Sequence, residues 1–197
     1  MNIRQVTFTP SFFRRVAAGL VIGLGMSVAV QAAEYTRVNT QDSRIDFVYS
    51  QMKVKMNGRF SELRVNRFQF DTDKPEAAEV ALEIVLGSVD AGYGEANKEL
   101  GKAEWLNLAA HPLASFESSK VEALGGNRYQ VTGTLSIKGN AKEVTAPFTL
   151  KQDGDTGVFE GELSFQRSDF SIGEGAWKDT SIVANDIQVN FHLLANR

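Results

Sequence analysis

The sequence contains no cysteine among its 197 residues and only two histidines, His111 and His192. Without cysteine the chain has no disulfide framework, no thiol nucleophile and no thiolate metal ligand. Two histidines so far apart argue against a histidine-rich metal site, and we expect neither a metal nor another cofactor. Basic residues number 21 against 24 acidic ones, so the chain lacks the basic excess of a nucleic-acid-binding protein, and no nucleic-acid partner is expected.

Motifs of catalysis are missing as well. No Gly-x-Ser-x-Gly elbow occurs, and a Ser-His-Asp triad would need one of the two histidines. His192 alternates to the outer side of a predicted strand, and His111 precedes Pro112 in an extended segment. Residues 87–94 are rich in glycine but lack the lysine of a phosphate-binding loop. We therefore predict no catalytic residues and no enzymatic activity.

Residues 1–32 differ from the rest of the chain. Three arginines and no acidic residue accompany an uncharged apolar run from Val16 to Val30, and Val30-Gln31-Ala32 offers small side chains for cleavage. This is the pattern of a secretory signal peptide, and the run is shorter than the roughly 20 apolar residues of a membrane span. We predict a signal peptide over 1–32, export by the Sec route, and one mature domain over 33–197.

Apolar and polar residues alternate with period two through the mature domain, most clearly from Arg128 to Ile137. Such alternation predicts half-buried β-strands, and the turns rich in glycine, asparagine and aspartate between them predict antiparallel neighbours. Further predicted strands cover residues 44–49, 57–60, 64–70, 80–86, 114–120, 143–151, 159–165 and 186–193.

One stretch departs from this alternation. Residues 95–106 place Ala96, Leu100 and Ala103 on one helical stripe, with charged residues opposite, and predict an amphipathic helix. The result is an all-β domain of about eight strands with one packed helix. Either a sandwich or a closed barrel buries such strands, and periodicity does not choose between them. An eight-stranded barrel is filled by side chains or holds one small ligand.

Phenylalanine is abundant, with 13 residues, and six of these rings fall on the inward parity of the predicted strands, as do Tyr49 and Tyr129. Such rings fill a packed core or line an apolar pocket, and both alternatives stay open on the residues alone. Methionine adapts to irregular apolar shapes, so two methionines join the candidates. If the interior is a cavity, its predicted lining residues are Phe47, Tyr49, Met52, Met56, Phe60, Ile84, Leu86, Leu100, Trp105, Phe116, Leu135, Phe148, Phe165, Phe170, Trp177 and Phe191.

Four blocks of residues occur in order between about residues 35 and 195. They are Ser43-x-Ile45-x-Phe47 with Gly58-Arg59-Phe60; Ser88-Val89-Asp90 with Trp105-Leu106-Asn107 and His111-Pro112-x-Ala114-x-Phe116; Gly133-x-Leu135-x-Ile137-Lys138-Gly139; and Arg167-x-Asp169-Phe170-x-Ile172-Gly173. Together these blocks resemble the YceI-like family of periplasmic lipid-binding proteins. The resemblance implies an extended lipocalin-like antiparallel β-barrel, a periplasmic location and no catalysis. It also implies an elongated apolar cavity for a polyisoprenoid, a prenyl quinone or a fatty amide.

Two positions depart from the family pattern. Gln51 stands where the family often has histidine, and Asn97 stands where it often has aspartate. Both side chains can hydrogen-bond a ligand, so we predict them as contacts for its polar head group. The long irregular segment Ser168–Ala184, which contains Trp177, is expected to cover one mouth of the barrel.

Two functions are compatible with these observations. The first is a periplasmic binding or carrier protein that holds an isoprenoid-type lipid. The alternative is a solid-cored secreted barrel that docks onto a membrane redox or stress-response partner. Transient contact with a membrane or a membrane protein fits both, and the exposed edge expected near Pro147 fits a monomer or a homodimer.

Overall fold

A single antiparallel sheet dominates residues 34–197, which with Met1 are the part of the chain described by this computed structural model. Apart from Met1, the predicted signal peptide lies outside the described residues. The strands are β1 (Glu34–Tyr35), β2 (Arg37–Gln51), β3 (Val54–Phe60), β4 (Leu63–Asp71), β5 (Glu79–Val85), β6 (Val89–Asp90), β7 (Leu113–Gly125), β8 (Arg128–Ile137), β9 (Asn140–Asp153), β10 (Thr156–Gln166) and β11 (Asp186–Asn196). Helix α1 spans Gly94–Leu100, and within 34–197 no helix has the length and apolar character to cross a bilayer.

The strands follow the order β1-β4-β5-β7-β8-β9-β10-β11-β2-β3-β6. One continuous segment links the margin strand β1 to β2, which lies far across the sheet, because Tyr35 pairs with Phe70 of β4 and Arg37 pairs with Asn196 of β11. The sheet therefore curls into a barrel-shaped wall, and the predicted all-β barrel class with one helix is confirmed. Eleven strands replace the expected eight or so, since β1 and β6 are two-residue pairings in which no alternation is visible.

The predicted helix over 95–106 is too long. Helix α1 ends at Leu100, and Gly101 follows as its C-cap. The amide of Leu106 then donates to the carbonyl of Leu100 across six residues, which a continuous helix does not do. This turn buries both Trp105 and Leu106. Adjacent side chains on a helix point about 100° apart, so a helix with one narrow apolar stripe does not bury two consecutive residues. Burial of both Trp105 and Leu106 therefore favours the turn.

Aromatic rings fill the barrel where β1 pairs with β4. The rings belong to Tyr35, Phe70, Tyr129, Phe148 and Phe159, and we call this group the aromatic plug. The centroid of Phe70 lies 5.1 Å from that of Tyr129 and 5.2 Å from that of Phe159, both in edge-to-face geometry. Such pairs add stability beyond the area that they bury. The expectation of a packed aromatic core is thus met at this end of the barrel.

Glycines within the strands let aromatic rings lie flat against the wall. Gly58 stands opposite Phe47 on the neighbouring strand, and Gly161 stands opposite Phe191. A Cβ atom at either glycine would overlap the facing ring. The absence of a side chain at these positions therefore sets how closely the rings approach the sheet.

We expect Gly161→Ala to destabilise the fold by about 1–3 kcal/mol, because the new methyl group would overlap both the Phe191 ring and the carbonyl oxygen of Pro147. Gly87→Ala is the matched control, since an added Cβ there meets no atom within 4 Å. Urea denaturation of both variants measures the two changes. Equal stability of the two variants would contradict the close approach described here.

Candidate functional site

The curled sheet encloses two apolar cavities beyond the aromatic plug. The outer chamber has a volume of about 190 Å³ and is bounded by β2, α1 and the segment between β10 and β11. The inner chamber has a volume of about 140 Å³ and reaches down to Phe70, Phe148 and Phe159 of the plug. An apolar cavity of roughly 150 Å³ admits a six-carbon ring, so each chamber has room for a group of that order.

The two chambers share part of their lining. We call the shared side chains the waist; they belong to Ile45, Ile84, Ala114, Leu135, Leu163 and Val189. All six are aliphatic, and Ala114 is the smallest of them. Because the same side chains border both spaces, the chambers adjoin and together make one elongated apolar interior.

Most of the predicted lining residues border this interior. Those at the outer chamber are Phe47, Tyr49, Phe60, Ile84, Leu86, Leu100, Trp105, Leu135, Phe165 and Trp177. Those at the inner chamber are Ile84, Phe116, Leu135, Phe148 and Phe191. Strand parity therefore placed those of them that lie in strands, such as Phe47, Phe116 and Phe165, on the inner side of the sheet. Whether they bind a ligand stays a prediction.

Three predicted lining residues border neither chamber. Met52 lies in the β2–β3 turn with its side chain 69% exposed, since the strand ends before it. Met56 is half-buried and pairs with Tyr49 on the neighbouring strand. Tyr49 lines the outer chamber, whereas Met56 does not. Phe170 is buried behind the wall, with its ring centroid 5.0 Å from that of Phe165, and so supports a lining residue without lining the cavity.

The two predicted head-group contacts differ in position. Gln51 lines the outer chamber, where its Oε1 accepts a hydrogen bond of 3.0 Å from the Tyr93 hydroxyl. Asn97 lines neither chamber, because its Oδ1 accepts a hydrogen bond of 2.7 Å from the amide of Ala91 and thereby supports the turn before α1. Asn97 is therefore misplaced as a cavity residue, whereas Gln51 lies at the cavity edge.

The outer chamber reaches the surface beside α1, where Tyr93 both lines the cavity and is 39% exposed. Polar groups gather at this mouth. The hydroxyl of Tyr49 donates to the carbonyl of Ala91 at 3.1 Å, and burial, with a smaller contribution from Tyr93, raises the pKa of Tyr49. The Tyr49 hydroxyl therefore stays a neutral donor. The mouth offers hydrogen-bonding groups, and the remainder of the interior is lined by apolar side chains apart from Glu99 and Arg167 at the outer chamber and Ser115 at the inner chamber.

The segment Ser168–Ala184, which we call the covering segment, folds over the outer chamber through two 3-10 turns, Arg167–Phe170 and Gly175–Lys178. It contributes Ile172, Trp177 and Val183 to the cavity lining. The sequence-based expectation that this segment lies at one end of the barrel agrees with this placement.

Arg167 anchors the covering segment from within. Its side chain is buried, and its guanidinium donates five hydrogen bonds to the carbonyls of residues 172, 173, 177, 183 and 184, at 2.7–3.2 Å. The guanidinium also lies 5.6 Å from the ring centroid of Trp105. Burial lowers the pKa of Arg167 from its ordinary value, yet that value is so high that the group stays charged at neutral pH.

A second contact ties the covering segment to α1. The indole Nε1 of Trp177 donates to Oε1 of Glu99 at 3.1 Å, and the Trp177 ring lies 5.4 Å from that of Trp105. The hydrogen bond from Lys102 lowers the pKa of Glu99, and the hydrogen bond from Trp177 makes a smaller contribution in the same direction. Glu99 is therefore ionised at neutral pH and is a strong acceptor for the indole.

Several lining residues were missing from the predicted set. Ile45, Leu163 and Val189 share the inward parity of phenylalanines on their own strands, so the signal for them was present. Arg167 carried no such signal, because a charged residue at the end of a strand is normally exposed. The two histidines lie apart: His192 contacts Glu160 at 3.0 Å across the β10–β11 pair, and His111 lies beside Gly139.

An antiparallel barrel with an apolar interior and a covered mouth defines the lipocalin-like class of folds. The YceI-like domain model matches residues 36–195, and the chain belongs to the YceI-like family. Among curated relatives, a UPF0312 protein of Azotobacter vinelandii is 30% identical over 169 residues, which cover 81% of this chain and 88% of the relative. A UPF0312 protein of Pseudomonas aeruginosa is 31% identical, with 81% and 87% covered.

Solved structures share the fold. BcnA of Burkholderia cenocepacia superimposes with a TM-score of 0.78 at 39% identity, over 81% of this chain and 99% of that one. A polyisoprenoid-binding domain from Saccharophagus degradans gives a TM-score of 0.64 at 17% identity, over 84% and 98%. The YceI protein of Campylobacter jejuni gives 0.62 at 21% identity, over 71% and 84%.

We expect Trp177→Ala to speed the dissociation of an apolar naphthylamine dye by about tenfold, because the indole closes the edge of the outer chamber. The melting temperature should change little, since Arg167 still binds the main chain of residue 177. Trp177→Phe is the control that keeps a ring and loses only the hydrogen bond to Glu99. A large drop in melting temperature with unchanged dye release would refute this role.

Proposed function

We propose that the protein is a periplasmic, non-enzymatic binding or carrier protein for a long-chain amphiphilic lipid. A polyisoprenoid, a prenyl quinone and a fatty amide all have the required shape. The lipid tail occupies the two chambers, and its polar head lies at the mouth beside Gln51 and Tyr93. The observation that carries this proposal is the elongated apolar interior with its polar groups gathered at one mouth.

The energetics of burial support this assignment. Apolar area removed from water contributes about 25 cal/mol per Å², so a tail that buries several hundred Å² gains on the order of 10 kcal/mol before ordering costs. Such a gain needs no ion pair or metal. Affinity then comes from the lining, and selectivity comes from the length and width of the interior.

Family membership and the predicted signal peptide add independent support. The chain belongs to the YceI-like family, and a structural neighbour of the same fold is a polyisoprenoid-binding domain. A cleaved signal peptide over residues 1–32 would deliver the domain to the periplasm. The hollow interior favours lipid binding over the alternative of a solid-cored docking protein.

Mass spectrometry of an organic extract tests the proposal directly. The full-length protein is expressed in a bacterial host with a periplasm, purified without detergent and extracted. We expect one amphiphilic lipid per chain, a mature N-terminus near residue 33, and saturable binding of added prenyl lipids by the emptied protein. Repeatedly empty extracts together with no uptake of prenyl lipids would rule out the proposed function.

We expect Ala114→Leu to shorten the tail that the protein accepts. The larger side chain narrows the waist, so affinity for tails much longer than about six carbons should fall by about tenfold or more, while shorter tails still fit the outer chamber. Ala81→Leu is the control, because Ala81 lies on the same sheet and lines neither chamber. Equal losses for short and long tails would show that the waist does not limit length.

A further inference from the structure

Large apolar side chains are exposed at few places on residues 34–197, and most of these places adjoin the cavity mouth. Met52 is 69% exposed, Val54 60%, Tyr93 39% and Ile182 37%. The remaining exposed large apolar side chain of this part of the chain is Leu124, near the end of β7. Scattered exposed apolar residues need no explanation, but a cluster beside an opening indicates an interaction surface.

Backbone pairing and the Gln51 side chain bring together the three segments that carry these four residues. The amide of Met52 donates to the carbonyl of Ile182 at 2.7 Å, and Gln51 forms a β-bridge with Val183. The Tyr93 hydroxyl donates to Gln51, whose register partner is Val54. We call Met52, Val54, Tyr93 and Ile182, with Lys53 and Lys55, the docking tip. Tyr93 lines the outer chamber, so the docking tip borders the cavity mouth.

The turn at the docking tip has an unusual sequence for its geometry. Met52 and Lys53 are the two central residues of the β2–β3 hairpin, and their φ angles are +49° and +67°. Hairpin turns with positive φ at both positions strongly favour Asn-Gly, because other side chains strain the backbone there. A methionine and a lysine in this turn therefore cost stability, and folding alone gives no reason for an apolar side chain at its apex.

The docking tip carries positive charge, whereas the whole chain has a net negative charge. Lys53 and Lys55 are exposed, and within residues 34–197 no carboxylate lies within 4.0 Å of either ammonium group. The full sequence carries a formal charge of −3. Asp179 is the acidic residue nearest to Ile182 in sequence, and its Oδ1 already accepts the amide of Ser181. The docking tip thus combines exposed apolar side chains with two unpaired lysines.

We propose that the docking tip inserts into the anionic surface of a lipid bilayer and holds the cavity mouth against it, which rests on the proposed function as a lipid carrier. Anionic head groups attract the two lysines, while the apolar side chains enter the boundary with the acyl chains. A second copy of the chain fits less well. A two-fold contact would set like charges together, and four side chains cover far less than the roughly 800 Å² per partner of a stable interface.

Flotation with lipid vesicles tests the docking. The double variant Met52→Asn with Lys53→Gly has the sequence that this turn prefers, so it should fold at least as stably as the wild type. It lacks the apolar and the basic side chain at the apex of the hairpin. We expect the wild type to float with vesicles that contain phosphatidylglycerol, more weakly at high salt, and poorly with phosphatidylcholine alone. The double variant should bind these vesicles about tenfold more weakly, or weaker still. The variant Lys53→Gln with Lys55→Gln should lose the salt-dependent part of vesicle binding. Leu124→Ser is the matched control and should float like the wild type.

A second measurement separates this proposal from the proposed function. Equilibrium binding of a prenyl lipid in solution should be the same for the wild type and the double variant, whereas lipid transfer from vesicles should slow in the variant. If the wild type binds prenyl lipid but never floats, the docking is wrong and the proposed function stands. If the double variant instead abolishes a dimer seen by sedimentation and leaves flotation unchanged, the docking tip is a protein interface and the proposal is overturned.

Discussion

The covered end of this barrel depends on one buried guanidinium. A long segment without regular structure must satisfy its own backbone carbonyls, and Arg167 does this for five of them from the inside. Arginine suits the task because its planar fork carries five donors that keep their charge. The same side chain borders the outer chamber. Arg167 therefore contributes both to the wall of the cavity and to the fixing of its cover.

The fold was largely predictable because one face of each strand is buried. Alternation in β8 marks Tyr129, Val131 and Leu135 as inward, and all three are buried. Prediction was weaker where local chemistry opposed periodicity. Gly101 ends a helix that the apolar stripe would continue, and two-residue strands such as β1 carry no period. These features depend on contacts distant in sequence, which alternation does not encode.

The candidate site was predictable in its apolar part and much less so in its polar part. Strand parity correctly predicted that Phe47 and Phe165 point inward. It does not predict where a strand ends, and Met52 was misplaced because β2 ends before it. Asn97 was misplaced because its amide is used by the backbone of Ala91. Arg167 was missed, since its five acceptors come from a segment whose path only the folded chain defines. Whether the interior is hollow was equally beyond periodicity, because filled and empty barrels share one alternation.

Two attachments of the covering segment, through Arg167 and through Glu99, respond differently to acid. Arg167 donates to carbonyl oxygens, which do not titrate, so that attachment persists across the whole pH range in which the barrel is folded. Glu99 has a lowered pKa, so its contact with the Trp177 indole is intact above the ordinary carboxyl range and is lost as the pH falls through the lowered value. Acidification therefore removes the charged acceptor of the Trp177 indole and leaves the hydrogen bonds from Arg167 in place. The indole is then held by its packing against the Trp105 ring, whose centroid lies 5.4 Å away, and no longer by a charged group.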